Sequence, residues 1–97
     1  MPKTSVSAAA QNTWSDEVRI IGGFGLSIRG TFVATVTVQR SEDGLTWGVV
    51  DTWTAPSEDV GYDPNLNYYR IGIDTGDYTS GTVEASINGY SVWPNRI

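Results

Sequence analysis

The sequence predicts an all-β protein, a single antiparallel β-sandwich or small jelly roll of about six to eight short strands. Apolar side chains alternate with small or polar ones from Phe24 to Ile28 and again from Phe32 to Val38. This period of two buries one face of a strand and leaves the other face in water. Asp43-Gly44 separates this run from the next, and Asp-Gly is a typical hairpin turn. No stretch shows a convincing helical period.

These patterns place the strands at residues 14–21, 24–29, 31–40, 45–54, 67–74 and 82–90. The side chains predicted to face the core are Val18, Ile20, Phe24, Leu26, Ile28, Phe32, Ala34, Val36, Val38, Trp47, Val49, Trp53, Tyr69, Ile71, Ile73, Val83, Ala85 and Ile87. Residues 55–66 hold two prolines, which lack the N–H that a sheet ladder needs, so we expect a loop crossing between sheets there. Residues 75–81 are rich in Gly, Thr and Asp and predict a turn.

The 97 residues predict one domain with a short extension at each end. Residues 14–90 form the predicted β-sandwich domain. Residues 1–13 are small and polar, and we expect a flexible N-terminal arm, which either becomes ordered on a partner or is a simple leader. Residues 91–97 form a C-terminal tail.

Composition disfavours several classes of function. The chain has no histidine and no cysteine, so it lacks the usual general base near neutral pH, thiolate nucleophiles and the commonest zinc ligands. We therefore expect no catalytic residues, no cofactor and no metal, and the chain is not predicted to be an enzyme. The net charge of −5 disfavours nucleic acid and anionic membrane surfaces as partners. The absence of a long apolar run predicts no membrane span and no secretion signal, hence a protein made in the cytoplasm.

Acidic residues offer two alternatives that the sequence does not favour. Asp63, Asp74 and Asp77 could supply oxygen ligands to calcium, but their spacing does not match an EF-hand loop, and turns use Asp for their own geometry. Glu58 and Asp59 could suggest a glycosidase pair, but nothing in the sequence predicts a cleft that would raise the pKa of one of them.

Aromatic residues supply the candidate binding positions. Trp47 and Trp53 share the parity of Val49 and are predicted to lie in the core. Other aromatics could instead form an exposed interface or a sugar-stacking platform, namely Trp14, Tyr62, Tyr68, Tyr78 and Tyr90. The tail could either pack on its own domain or anchor in the pocket of a partner. The candidate partner-binding residues are Trp14, Trp93, Pro94 and Ile97.

The segment Ser41-Glu42-Asp43-Gly44-Leu45-Thr46-Trp47 is similar to the Asp-box, a hairpin motif with the pattern Ser-x-Asp-x-Gly-x-Thr-Trp. One residue is missing here between Asp43 and Gly44, and the chain has one copy of the motif. Because the Asp-box is structural in its families, this similarity does not imply a sialidase.

A longer series of motifs, covering roughly residues 12–90, resembles a family of small virion-associated proteins of tailed bacteriophages. The shared strings are Gly23-Phe24 to Thr37, Gln39-Arg40-Ser41 through Trp47, Tyr69-Arg70-Ile71-Gly72 and Thr75 to Val83. The chain departs from the family in the loop at 58–63 and from Asn88 onward.

This resemblance implies a capsid decoration, or cement, protein that binds the outside of the shell and stabilises it. The implied partner is the major capsid protein, the implied assembly is a homotrimer, and the implied location is the capsid surface of the virion. The alternatives are a head-fibre, tail or baseplate component and, from another class, a carbohydrate-binding module.

Overall fold

The computed structural model describes residues 2–89, which form five β-strands and, among these residues, no helix. The strands are β1 (Lys3–Ala8), β2 (Thr13–Trp14), β3 (Val18–Ser41), β4 (Gly48–Trp53) and β5 (Ser57–Gly89). They make one antiparallel sheet in the order β1-β5-β3-β4, and β2 also pairs with β5. The predicted all-β class is thus confirmed, with one continuous sheet.

The two long strands each contribute to two segments of this sheet. In the first sheet segment, residues 24–28 of β3 lie between residues 57–61 and 85–89 of β5. β1 extends the same segment by pairing with residues 83–88 of β5. The predicted interruption between the strands at 24–29 and 31–40 is absent, because β3 continues through Gly30 and pairs with residues 78–83 of β5 as it leaves this segment.

The second sheet segment lies further along both strands. Residues 36–41 of β3 pair on one side with residues 68–73 of β5 and on the other side with β4. β2 pairs with Gly72 and Ile73, and the start of β3 pairs with residues 67–69. The predicted turn after Asp43 therefore connects two antiparallel neighbours, as a hairpin requires.

Both segments supply side chains to one core. The buried hydrophobic residues form a single cluster of Ala8, Val18, Ile20, Phe24, Leu26, Ile28, Ala34, Val36, Val38, Tyr69, Ile71, Ile73, Val83, Ala85 and Ile87. Because residues of both segments meet in this cluster, the sheet folds over a shared interior. Period-two burial along β3 and β5 follows the predicted alternation at most of these positions.

The N-terminal residues differ from the predicted arm. Residues 3–8 form β1 in register with residues 83–88, and Thr4 and Ala8 are buried. β1 covers an edge of β5 whose N–H and C=O groups would otherwise lack sheet partners.

The predicted crossing loop at 55–66 also differs. Residues 57–61 pair with residues 24–28, and Tyr62 and Asp63 pair with Gly23 and Gly22. Pro56 precedes the strand, and neither proline is among the paired residues. An edge strand tolerates proline because only the backbone N–H groups on one of its sides have to donate to a neighbouring strand.

Candidate functional site

The outer face of the second sheet segment carries the chain's most distinctive cluster of side chains. Tyr69 and Ile71 are buried in the core, so Arg70 between them lies on the opposite, outer face. Arg70 is directly opposite Gln39 of β3 in the register. The Nε of Arg70 donates a hydrogen bond of 2.8 Å to the Oε1 of Gln39, which fixes the guanidinium against the sheet.

Two indole rings pack against this guanidinium. The Cζ atom of Arg70 lies 4.5 Å from the ring centroid of Trp14 and 4.4 Å from that of Trp47. Both distances are within the range in which a cation is attracted to an aromatic face. We call Trp14, Arg70, Trp47 and Gln39 the Trp–Arg cluster.

Trp14 is placed by β2. It pairs with Gly72, where a Cβ atom would overlap the carbonyl oxygen of Thr13. The next residue, Ser15, binds Ile71 twice, since its N–H donates to the Ile71 carbonyl at 2.8 Å and its Oγ accepts from the Ile71 N–H at 3.1 Å. The absence of a side chain at position 72 therefore lets β2 approach the sheet closely enough for Trp14 to reach Arg70.

Trp47 is placed by the turn that resembles an Asp-box. The Oδ1 of Asp43 accepts hydrogen bonds from the N–H groups of Leu45 at 2.8 Å and Thr46 at 2.9 Å. The Oγ of Ser41 accepts from the Gly44 N–H at 2.8 Å, and Gly44 has a φ of 77°. These bonds from Thr46 and Leu45 also lower the pKa of Asp43. The turn ends with Trp47 over Arg70.

The charge of Arg70 is only partly compensated by its surroundings. Burial lowers the pKa of Arg70, while the nearby charges of Asp74 and Glu17 act in the opposite direction. Among residues 2–89, hydrogen bonds and ion pairs reach Arg70 only at Nε. Its terminal nitrogens therefore keep their four N–H donors free of protein partners within this part of the chain.

Two other arginines have carboxylate partners. The Nε of Arg40 lies 2.8 Å from Oδ2 of Asp63, and the Nε of Arg29 lies 3.3 Å from Oε2 of Glu58. Arg19 stacks on Tyr68 next to the cluster, 5.5 Å from its ring centroid. Arg70 thus combines partial burial with the lack of a bonded carboxylate.

A buried polar cluster closes the edge of the core. The carboxylate of Asp63 accepts hydrogen bonds from Arg40 at 2.8 Å, Tyr69 Oη at 2.8 Å, Asn67 at 2.9 Å and the Asn65 N–H at 3.0 Å. Burial raises the pKa of Asp63, but these donors outweigh burial and lower it to about 2. Burial and the bond to Asp63 raise the pKa of Tyr69 to about 12. A carboxylate this fully bonded has a structural role and is a poor proton acceptor.

The outer face of the first sheet segment is different in chemistry. A shallow groove of about 550 Å³ is lined by Ser5, Val6, Ser7, Ser27, Arg29, Glu58, Glu84, Ala85, Ser86 and Asn88. We call it the serine groove. Its two glutamates are bonded by hydroxyl groups, at 2.6 Å from Ser27 to Glu58 and 2.8 Å from Ser7 to Glu84. The hydrogen bonds from Ser27 and Arg29 lower the pKa of Glu58. None of the residues that line this groove is aromatic.

The structure places the candidate binding residues as follows. Trp14 lies half-buried in the Trp–Arg cluster, whereas Trp93, Pro94 and Ile97 lie outside the described residues. Tyr90 also lies outside them. Tyr62 is exposed, and the Tyr78 hydroxyl donates to the Gly81 carbonyl at 3.0 Å.

Two predicted core residues have other positions. Trp53 packs against the core cluster, but Trp47 lies on the outer face and Val49 is 62% exposed. Val38 pairs with Asp51, whereas the next residue, Gln39, pairs with Val49, so β4 has one extra residue at this point. The extra residue reverses which face of the sheet the following side chains of β4 occupy. The period-two alternation counted from Trp53 therefore predicts the wrong face for Val49 and Trp47.

Arg70 is a site residue that the sequence alone did not predict. The available signal was its position between Tyr69 and Ile71, since period-two alternation directs it outward. Its two indole neighbours come from distant segments, and their meeting depends on β2 and on the turn at 41–47.

Residues 2–89 contain no group of three or more acidic side chains arranged to hold a metal ion. In the same residues, no helix is long and apolar enough to cross a membrane. Comparisons of the chain with protein-family profiles, with curated proteins and with solved structures found no match.

Proposed function

We propose that this chain is a structural protein of a phage virion, namely a decoration protein that binds the outside of the capsid and stabilises it. One observation carries the proposal. The strings shared with the phage family supply Gln39, Trp47 and Arg70, and these three residues meet in the Trp–Arg cluster. Tryptophan and arginine are the residues that most often dominate the energy of protein interfaces.

The rest of the fold fits a protein that acts by attachment. Its buried carboxylate is fully bonded, and its groove glutamates are held by hydroxyl groups. A single core holds the sheet together, so a partner would meet a preformed surface with little ordering cost.

The sheet edges support the same proposal. Within residues 2–89, β1, β4 and residues 57–61 are each paired on one side only, and the last two of these edges carry acidic side chains. The carboxylates of Asp51 and Asp59 accept the N–H of the following residue, each at 2.8 Å. Charged, occupied edges disfavour strand addition between copies. A protein needed in many copies benefits from staying separate until it reaches the particle.

The proposed partner is the major capsid protein, and the proposed assembly on the shell is a homotrimer, since many modest interfaces bound together give high avidity. Quantitative mass spectrometry of purified particles, with immunogold labelling, tests this. We expect a copy number comparable to that of the major capsid protein and label over the head. Absence from particles would overturn the proposal, and a few copies at the tail would favour a tail or baseplate component.

A carbohydrate-binding module is the second candidate, and half-exposed aromatic residues are the observation that favours it. The guanidinium of Arg70, however, lies over the rings of both Trp14 and Trp47, and that of Arg19 lies over the ring of Tyr68. Sugar rings need such faces for stacking. A glycan array with the purified protein separates the two, and we expect no bound glycan.

A further inference from the structure

We propose that Arg70, whose guanidinium lies over the rings of Trp14 and Trp47, is a receptor for a carboxylate side chain of a partner protein. The partner carboxylate would accept two parallel hydrogen bonds from the terminal nitrogens of Arg70. This inference rests on the proposed function only for the identity of the partner, which would be the capsid shell protein.

The first argument is the state of the guanidinium group. Among residues 2–89, Arg29 and Arg40 have a carboxylate at hydrogen-bond distance, whereas Arg70 has only the amide oxygen of Gln39. Arg70 is half-buried, and Gln39 beneath it is 8% exposed. A partly desolvated charge without a bonded counter-charge is unfavourable until an anion reaches it.

The second argument is geometry. The bond from Nε to Gln39 and the two indole rings at 4.5 and 4.4 Å restrict the movement of the guanidinium. Arginine loses less freedom on binding when its planar fork is already oriented, and a planar carboxylate matches that fork. The indole edges beside it would exclude water from the bonded pair, as the surroundings of interface hot spots do.

Two nearby acidic residues compete with a partner carboxylate for the charge of Arg70. Glu17 and Asp74 lie close enough to act on the charge of Arg70, but neither is bonded to it. They would repel an incoming anion, so only a carboxylate that reaches the terminal nitrogens would bind. Of the two, Glu17 also approaches the turn at Gly44.

The first test is a titration of the full chain with the peptide acetyl-Gly-Glu-Gly-amide, followed by NMR of the arginine and indole N–H groups. The control peptide is acetyl-Gly-Gln-Gly-amide at equal ionic strength. We expect saturable shifts at Arg70, Trp14 and Trp47 with the glutamate peptide alone. Equal shifts with both peptides, or no saturable shift, would overturn the inference and leave the cluster a structural cover for the sheet.

Variants sharpen this test. Arg70→Lys keeps the charge but loses the fork, and we expect binding to weaken about tenfold or more. Arg29→Lys, in the serine groove, is the matched control and should bind like the native chain. Glu17→Gln removes a competing charge and should bind more tightly. Unchanged affinity in Arg70→Lys would contradict the assignment even if the peptide binds.

The second test uses particles stripped of this chain. If the native chain rebinds them, Arg70→Lys should lower the occupancy and Arg29→Lys should not. If the native chain does not bind particles while the peptide titration succeeds, the proposed function fails and the carboxylate receptor stands. If particles bind both variants equally and the titration fails, the receptor is wrong and the proposed function stands.

Discussion

Asp63 shows how one residue joins the polar and apolar parts of this fold. Its side chain is 4% exposed, so an unpaired negative charge there would be strongly unfavourable. Arg40 supplies the counter-charge, and Tyr69 connects the cluster to Phe24 in the core, with ring centroids 4.9 Å apart. Because the donors come from both β3 and β5, the carboxylate helps to fix the pairing of the two long strands.

This cluster predicts the pH dependence of stability. The pKa of Asp63 in the fold is about 2, below the ordinary value of 3.8. A depressed folded pKa stabilises the fold above pH 3.8, and this contribution of about 2 kcal/mol should be lost as pH falls from about 4 to 2. The pKa of Tyr69 is raised to about 12, so its contribution is present below pH 10 and is lost between 10 and 12. Urea unfolding at a series of pH values measures both windows.

The same experiment on Asp63→Asn assigns the acidic window. We expect the free energy of unfolding to fall by about 2–4 kcal/mol at neutral pH, since one partner of a buried ion pair is removed. The remaining dependence between pH 4 and 2 should be shallower than in the native chain. Asp16→Asn is the control, because Asp16 is exposed and, within residues 2–89, only its backbone carbonyl accepts hydrogen bonds. An unchanged acid dependence in Asp63→Asn would contradict the assignment.

A pair of glycines provides a second prediction at this scale. Gly76 and Gly81 have φ values of 82° and 89°, which residues other than glycine rarely adopt. A Cβ at Gly81 would overlap the carbonyl oxygen of Thr31, whereas nothing lies within 4 Å of one at Gly76. Gly76→Ala should therefore cost about 1 kcal/mol, and Gly81→Ala at least about 2 kcal/mol more. Equal losses in urea unfolding would show that the close approach of β3 and β5 is not rigid.

At the scale of elements, the alternation of β3 was enough to predict its core-facing side. Phe24, Leu26 and Ile28 are all buried, because every second side chain of a strand points to the same face of the sheet. Residues 3–8 and 57–61 could not be found in the same way. Edge strands carry polar residues on much of their surface, and their pairing depends on an unpaired edge elsewhere in the chain, which local sequence does not report.

The turn that resembles an Asp-box was recognisable from the sequence, but its consequence for Trp47 was not. Asp43→Ala would remove the acceptor for the Leu45 and Thr46 N–H groups. We expect the thermal midpoint to fall by a few degrees and the fluorescence of Trp47 to shift as its ring leaves Arg70. Glu42→Ala in the same turn is the control and should change neither. An unchanged spectrum in Asp43→Ala would mean that Trp47 is held by contacts outside the turn.

At the scale of the whole molecule, the two outer faces have different chemistry. The first sheet segment presents serine hydroxyls and bonded glutamates, and the second presents an arginine in contact with two indole rings. The sequence predicted Trp14 as a binding residue but not the cluster, because Trp14, Trp47 and Arg70 are more than twenty residues apart from one another and meet only through β2, β5 and a turn. Whether Arg70 can bind a partner therefore depends on how the fold brings three distant segments together.

The completeness of the core within residues 2–89 predicts how the isolated chain unfolds. Fifteen buried hydrophobic residues belong to one cluster that needs no second copy. Folding should therefore be a single transition whose urea midpoint is the same at low and high protein concentration, since association would add stability by mass action. Trimer formation would then follow folding and occur on the shell. Unfolding at about 1 and 100 μM, a range over which a coupled trimer would shift measurably, checks this by tryptophan fluorescence, with sedimentation velocity at the same concentrations. A midpoint that rises with concentration would mean that the proposed trimer is part of the fold itself.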